Sequence, residues 1–87
     1  MPYVITVLPS AARAIASLPQ DDQRRVVRKI DGLADDPRPA QAKLLASKER
    51  LWRLRVGDYR IIYQVDDGKK RILIVAIGHR RDVYRRI

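Results

Sequence analysis

From Leu51 to Val65 the chain alternates apolar and polar side chains with a period of two, and nothing else in the sequence restricts its fold as much. Trp52, Leu54 and Val56 share one parity, Arg53 and Arg55 the other. Beyond Gly57-Asp58, Tyr59, Ile61, Tyr63 and Val65 alternate with Arg60, Ile62 and Gln64. Successive side chains of a strand point to opposite faces, so the spacing predicts two strands that share one basic face. Gly57-Asp58 fits the two-residue hairpin turn that carries Gly at its first central position. Asp67-Gly68 fits a second such turn, leading into a third strand from Arg71 to Ile77. Residues Ile72-Leu73-Ile74-Val75-Ala76-Ile77 are apolar on both parities, as expected of a central strand.

The first half of the chain has a different period. Tyr3 to Leu8 is rich in β-branched residues and reads as a strand. Pro9-Ser10 starts a helix that runs to Leu18, with Pro in its first turn and Ser as cap, and Pro19 ends it. Asp21 and Asp22 favour the positive end of a second helix, in which Val26, Val27, Ile30, Leu33 and Ala34 recur at three- and four-residue steps. Arg24, Arg25, Arg28 and Lys29 lie mostly off that stripe, on a face read as solvated. Asp36-Pro37-Arg38-Pro39 is a loop between the two halves. The expected fold is therefore α+β, in the order β-α-α-β-β-β over one domain spanning residues 1–87. A two-helix hairpin packs on a twisted, mainly antiparallel sheet, followed by a short C-terminal tail or helix.

Composition narrows the chemistry. The 87 residues contain no Cys, which excludes a disulfide framework and a thiolate metal site and suits a reducing compartment. A domain of this size has room for a modest core and for no deep cofactor cleft, so neither metal nor cofactor is expected. Asp58, Asp66 and Asp67 read as turn formers rather than metal ligands. The apolar opening stops at Pro9, short of a signal peptide or a bilayer span, and the expectation is a cytoplasmic protein with no membrane partner. A formal charge of +9 suits polyanions. The excess of Lys and Arg over Asp and Glu is larger in residues 51–87 than in residues 1–50, which makes the second half the expected contact surface.

The hairpin register sharpens this. If Gly57-Asp58 is the loop, Val56 pairs with Tyr59 and Arg55 sits across from Arg60, with Cβ atoms roughly 4.5–5.5 Å apart. Arg53 lies on the same face, about 7 Å along the strand. Like charges directly opposed destabilise a sheet. The arrangement therefore points to a function, most simply neutralising a phosphate with forked donors. The alternative is that the Arg stems lie over apolar neighbours such as Ile62 while their heads splay into water. After the third strand, Gly78-His79-Arg80-Arg81-Asp82-Val83-Tyr84-Arg85-Arg86-Ile87 adds four more Arg and an aromatic. Folded back beside the hairpin, Tyr84 would offer a stacking surface suited to single-stranded RNA; otherwise the segment is a frayed basic tail.

These strings carry a resemblance. Residues Leu51 to Val65, with their Gly-x-Tyr-Arg-x-x-Tyr string, and Ile77 to Tyr84, with Gly-His-Arg-x-x-Val-Tyr, resemble the RelE/ParE superfamily of bacterial toxins, most of all its RelE branch. Pro9-Ser10-Ala11-Ala12-Arg13 and Leu18-Pro19 resemble the family's first helix, so the likeness extends over nearly the whole chain. It implies a toxin of a type II toxin-antitoxin system that enters the ribosomal decoding site and cuts mRNA without metal, under control of a co-encoded antitoxin. The family's catalytic arginines fall on Arg60 and Arg80 and its C-terminal tyrosine on Tyr84, while its basic strand pair falls on Arg53 and Arg55. Those two are commonly lysines in the family's well-known enzyme, so this sequence departs from the pattern, and arginine makes a poor general base. Arg81 is an alternative to Arg80. His79 is either the leaving-group acid or a structural residue, and Tyr84 would stack on a base, orient the hydroxyl or act as base. The reaction implied is attack of a ribose 2′-hydroxyl on the adjacent phosphate. The implied antitoxin is acidic and partly disordered. Two other readings stand beside the enzyme: the ParE branch keeps the fold but poisons DNA gyrase, and a basic RNA-binding module would lack activity.

Overall fold

The computed structural model describes residues 2–46, 48 and 50–79; Arg80, Arg81 and Tyr84, with the expected tail, lie outside the described residues. In chain order the elements are β1 (Val4–Val7), α1 (Pro9–Ala16), α2 (Gln20–Gly32), β2 (Lys43–Ala46), β3 (Leu51–Val56), β4 (Tyr59–Asp66) and β5 (Arg71–His79). The strands form one five-stranded sheet in the order β1-β5-β4-β3-β2. Among the described strands only β1 and β5 pair in parallel, and the α1–α2 segment carries the chain from β1 at one edge of the sheet to β2 at the other. The expected α+β class is present, with one strand more than expected, β2.

The hairpin forms as its turn dictates. Val56 pairs with Tyr59 and Arg55 with Arg60. Gly57 has φ +59°, a left-handed conformation that Gly adopts at no steric cost, and Asp58 stays out of that region, which matches a turn with Gly at its first central position. The second turn departs from expectation. Asp66 pairs with Arg71, so the connection is the longer Asp67-Gly68-Lys69-Lys70, and its positive φ of 55° falls on Lys70 rather than Gly68. Asp66 Oδ1 accepts the Lys69 N–H at 3.1 Å and tightens this loop.

The apolar run in β5 has two causes. The strand lies inside the sheet, and its register against β4 shifts: Ile62 faces Ala76 while Tyr63 faces Ile74, which leaves Val75 as a bulged residue. The bulge switches the parity, so Ile72, Ile74 and Ile77 all reach the helix-covered core. There they meet Val26, Ile30 and Leu33 of α2 and its end, Ala11 and Ile15 of α1, and Leu54, Ile61 and Tyr63 of the hairpin. Val27, expected on the core stripe, is 40% exposed, because the position after Val26 is rotated away on a helix. Arg24 and Arg25 pair with Asp21 and Asp22 one turn back, exposed pairs that add only tenths of a kcal/mol. Two boundaries also differ. Pro9 takes the first helical position, which puts the cap on Leu8 and Ser10 inside the first turn with no capping bond; α1 ends at Ala16, and Pro19 instead caps α2.

At the end of the sheet far from the Gly57 turn, three segments are tied together. The Arg38 guanidinium forks onto Asp67, Nη2 to Oδ2 at 2.7 Å and Nη1 to Oδ1 at 3.1 Å, and the Tyr3 hydroxyl donates to Asp67 Oδ1 at 2.6 Å. Arg38 also lies 5.4 Å from the centroid of the Trp52 ring. The Arg38 hydrogen bond, then that of Tyr3, holds the Asp67 carboxyl down to about 2. Its stabilising contribution is present above the unfolded carboxylate value, about 4, and is lost as pH falls through that low value.

Beneath this cluster Tyr63 is buried and donates its hydroxyl to the Pro37 carbonyl at 2.9 Å. Tyr63→Phe leaves that acceptor without its partner and is expected to cost about 1–2 kcal/mol in urea unfolding at neutral pH. Burial pushes the Tyr63 phenol up to about 12. The folded chain therefore holds this proton more tightly than the unfolded one, and the contribution, complete below pH ~10, is lost as pH rises toward the folded value. Tyr63→Phe should remove that part of the alkaline decline; an identical alkaline limb would contradict the assignment.

Candidate nucleic-acid interface

The helices cover one face of the sheet, and among the described residues no helix covers the other. Parity decides what the uncovered face carries. Leu54 and Val56 are buried beneath the helices, so Arg53 and Arg55 project from the opposite face, joined by Arg60 from β4. This is the convergence that the turn residues predict. Strand β2 adds to it: Lys43 pairs with Arg53 across the β2–β3 ladder. Gln41, Lys43, Arg53, Arg55 and Arg60 line one open cleft of about 180 Å³.

No acidic side chain lines this cleft among the described residues. Larger hollows exist, but they mix charges. One of about 400 Å³ between β1, β5 and β4 sets Arg50, Lys69 and Arg71 beside Asp66, and one of about 500 Å³ along α2 sets Arg24 and Arg28 beside Asp31. Volume is a poor guide where the ligand is a phosphate, which needs donors more than depth. Arg55 is exposed at the cleft's mouth, and its Nε donates to the Gly57 carbonyl at 3.0 Å, which fixes the guanidinium near the hairpin turn. Arg53 and Arg60 are half-buried, and Arg53 pairs across the ladder with Ile62, which with Ala76 centres a small apolar cluster joined by Leu45, Leu51 and Val75.

His79 stands elsewhere. It pairs with Tyr59 at the end of the β4–β5 ladder, and the two rings meet edge to face, 5.4 Å between centroids at 88°. The Tyr59 hydroxyl in turn donates to Asp22 Oδ2 of α2 at 3.4 Å, which puts both rings on the helix side of the sheet. Burial, then the Asp22 carboxylate, raises the Tyr59 phenol above its ordinary value. His79 therefore does not share the cleft with Arg53, Arg55 and Arg60. Arg80, Arg81 and Tyr84 lie outside the described residues. Among the described residues, no group of three or more His, Cys, Asp or Glu is placed to hold a metal ion. No described helix is long and apolar enough to cross a membrane.

Gln41 and Lys43 escaped sequence reasoning because Lys43-Leu44-Leu45-Ala46 shows no alternation and consists of good helix formers. A signal was present all the same. Without β2, residues 35–50 would form a connection longer than the ~12–15 residues at which structureless loops become uncommon, beside an unpaired edge of β3.

The profile of the family described as "ParE toxin of type II toxin-antitoxin system, parDE" matches residues 5–84. The chain belongs to the RelE/ParE superfamily of type II toxins. Within that superfamily its similarity is to proteins named RelE and RelG. It is 34% identical over 85 residues to Toxin RelE of Mycobacterium tuberculosis, covering 97% of this chain and 88% of the relative. Toxin RelG of the same organism is 31% identical over 87 residues, covering 99% and 100%. The fold matches the archaeal RelE-RelB complex from Pyrococcus horikoshii OT3 with a TM-score of 0.84 at 31% identity, over 93% of this chain and 98% of that one. The RelE-like fold expected from the hairpin and Gly-His-Arg strings is thus the observed fold.

Proposed function

We propose that this RelE-family toxin is a ribosome-dependent endoribonuclease that cuts mRNA in the decoding site without metal and so stops translation in the cytoplasm. One observation carries the reading: Arg53, Arg55 and Arg60 line a single cleft with no acidic side chain among the described residues, an array of forked donors suited to a phosphodiester. The reaction is attack of the ribose 2′-hydroxyl on its adjacent phosphate, giving a cyclic phosphate and a free 5′-hydroxyl. Negative charge grows on the phosphoryl oxygens, and Arg60 with Arg80 stabilises it as preorganised donors. Arg53 and Arg55, with Arg81, hold the RNA backbone, and Tyr84 stacks on a base or orients the nucleophile. His79, on the far side of the sheet, keeps the end of β5 in place through Tyr59 rather than donating a proton.

A co-encoded acidic antitoxin is the matching partner. The Pyrococcus relative is a RelE-RelB complex, and a disordered acidic segment that folds over Arg53, Arg55 and Arg60 would silence the cleft by charge complementarity. The second reading, a DNA gyrase poison, is favoured by the parDE description of the matching family. Purified protein incubated with mRNA-programmed ribosomes is expected to cut the message, and with gyrase and supercoiled plasmid to leave its activity unchanged. Intact message together with cleaved or unrelaxed plasmid would reverse the assignment.

A further inference from the structure

Among the described residues the cleft is lined by three guanidinium groups and one alkylammonium. Guanidinium groups stay protonated throughout the accessible pH range, so Arg53, Arg55 and Arg60 can bind and polarise a phosphate but cannot complete a proton transfer. Lys43 is different in kind. An alkylammonium is about a hundredfold or more stronger as an acid than a guanidinium, yet is still charged at neutral pH. It can therefore hand its proton to a departing alkoxide, a far stronger base. Cleavage by 2′-hydroxyl attack needs such a donor, because the 5′-oxygen leaves as an alkoxide unless protonated.

Position supports the role. Lys43 lies on β2 opposite Arg53 and Arg60 on β4 opposite Arg55, so a phosphate held by Arg53 and Arg55 has them on opposite sides, about 12 Å apart between backbones by strand spacing and rise. In-line displacement places nucleophile and leaving group on opposite sides of phosphorus. We infer that Lys43 is the general acid of this toxin, protonating the 5′-oxygen as it leaves. The inference rests on the ribonuclease reading above. In the step, the O2′–P bond forms as the P–O5′ bond breaks, and the 2′-hydroxyl proton passes to water. The electron pair left on O5′ takes a proton from Lys43 Nζ, and the neutral amine then regains one from water.

The test uses Lys43→Arg, which keeps the charge at an exposed edge-strand position, on programmed ribosomes. Two messages are compared, one with the normal linkage and one with sulfur replacing the bridging 5′-oxygen, a leaving group that needs no protonation. Lys43→Arg is expected to slow the all-oxygen message about 10²-fold or more and to cut the sulfur message within a few-fold of the unsubstituted toxin. The inference is overturned if Lys43→Arg cuts the oxygen message at the unsubstituted rate, since Lys43 then acts as charge alone. Equal slowing on both messages by a variant of unchanged thermal stability also overturns it, as does sulfur rescue that belongs to Tyr84→Phe instead. Unsubstituted toxin that cuts neither message refutes the ribonuclease reading itself, a distinct result.

Discussion

Arg60→Ala lowers single-turnover cleavage on programmed ribosomes by about 10²–10³-fold, the usual cost of deleting one preorganised donor to a charged transition state. Its fold survives. Arg60 is half-buried on the sheet face opposite the described helices and is not part of the apolar core, so thermal stability is expected to hold. Arg60→Lys keeps one charge and loses the forked geometry, which places it between the two. A non-catalytic RNA-binding module would behave differently: Arg60→Ala would weaken RNA binding and leave no bond-breaking rate to change. Unchanged cleavage by Arg60→Ala would remove the residue from the mechanism.

Leu54→Ala is the matching perturbation from the other side of the same strand. Leu54 is 1% exposed, lies between Arg53 and Arg55, and pairs with Ile61, itself at 0%. Truncation leaves a cavity and is expected to cost about 2–5 kcal/mol. Stability for a domain of this size is about 4–13 kcal/mol, so the loss consumes a large share of the total. The urea midpoint should fall sharply with little change in the slope. Cleavage per folded molecule should change little at low temperature, because the arginine register is held by the ladder and the Gly57 turn. Fold and chemistry are thus separable on one six-residue strand, which a variant that lost activity while keeping its stability would contradict.

How much of this was legible in the sequence depended on whether a short-range rule governed the residue. The Gly57 turn did: a two-residue loop leaves one register, and Arg55 opposite Arg60 follows from it. The α2 core positions Val26, Ile30 and Leu33 followed from helical spacing. Where two elements had to meet, local rules failed. Lys43-Leu44-Leu45-Ala46 becomes a strand because β3 offers it an open edge, against its own propensity, and the ladder carries an irregularity between Leu44 and Ala46. The bulge at Val75 arises from accommodating β4, and periodicity in β5 alone does not locate it. In the Asp67 loop, the carboxylates of Asp66 and Asp67 are tied to Lys69 and to Arg38 and Tyr3, and these ties favoured a longer turn over the Gly-based one. For the candidate site, the arginines were visible and Lys43 was not, since its membership depends on β2.

The central claim is that Arg53, Arg55 and Arg60 act on one phosphodiester. Titrating the isotopically labelled toxin with a short RNA whose 2′-oxygens are methylated, so that it binds without being cut, and following the arginine Nε–Hε resonances tests it directly. The account predicts that the signals of all three shift together along one binding curve, that Lys43→Gln weakens that curve, and that added salt shifts it to higher RNA concentration. Signals that move on separate curves, or a curve carried by Arg24 and Arg28 on α2 while these three stay still, would contradict it.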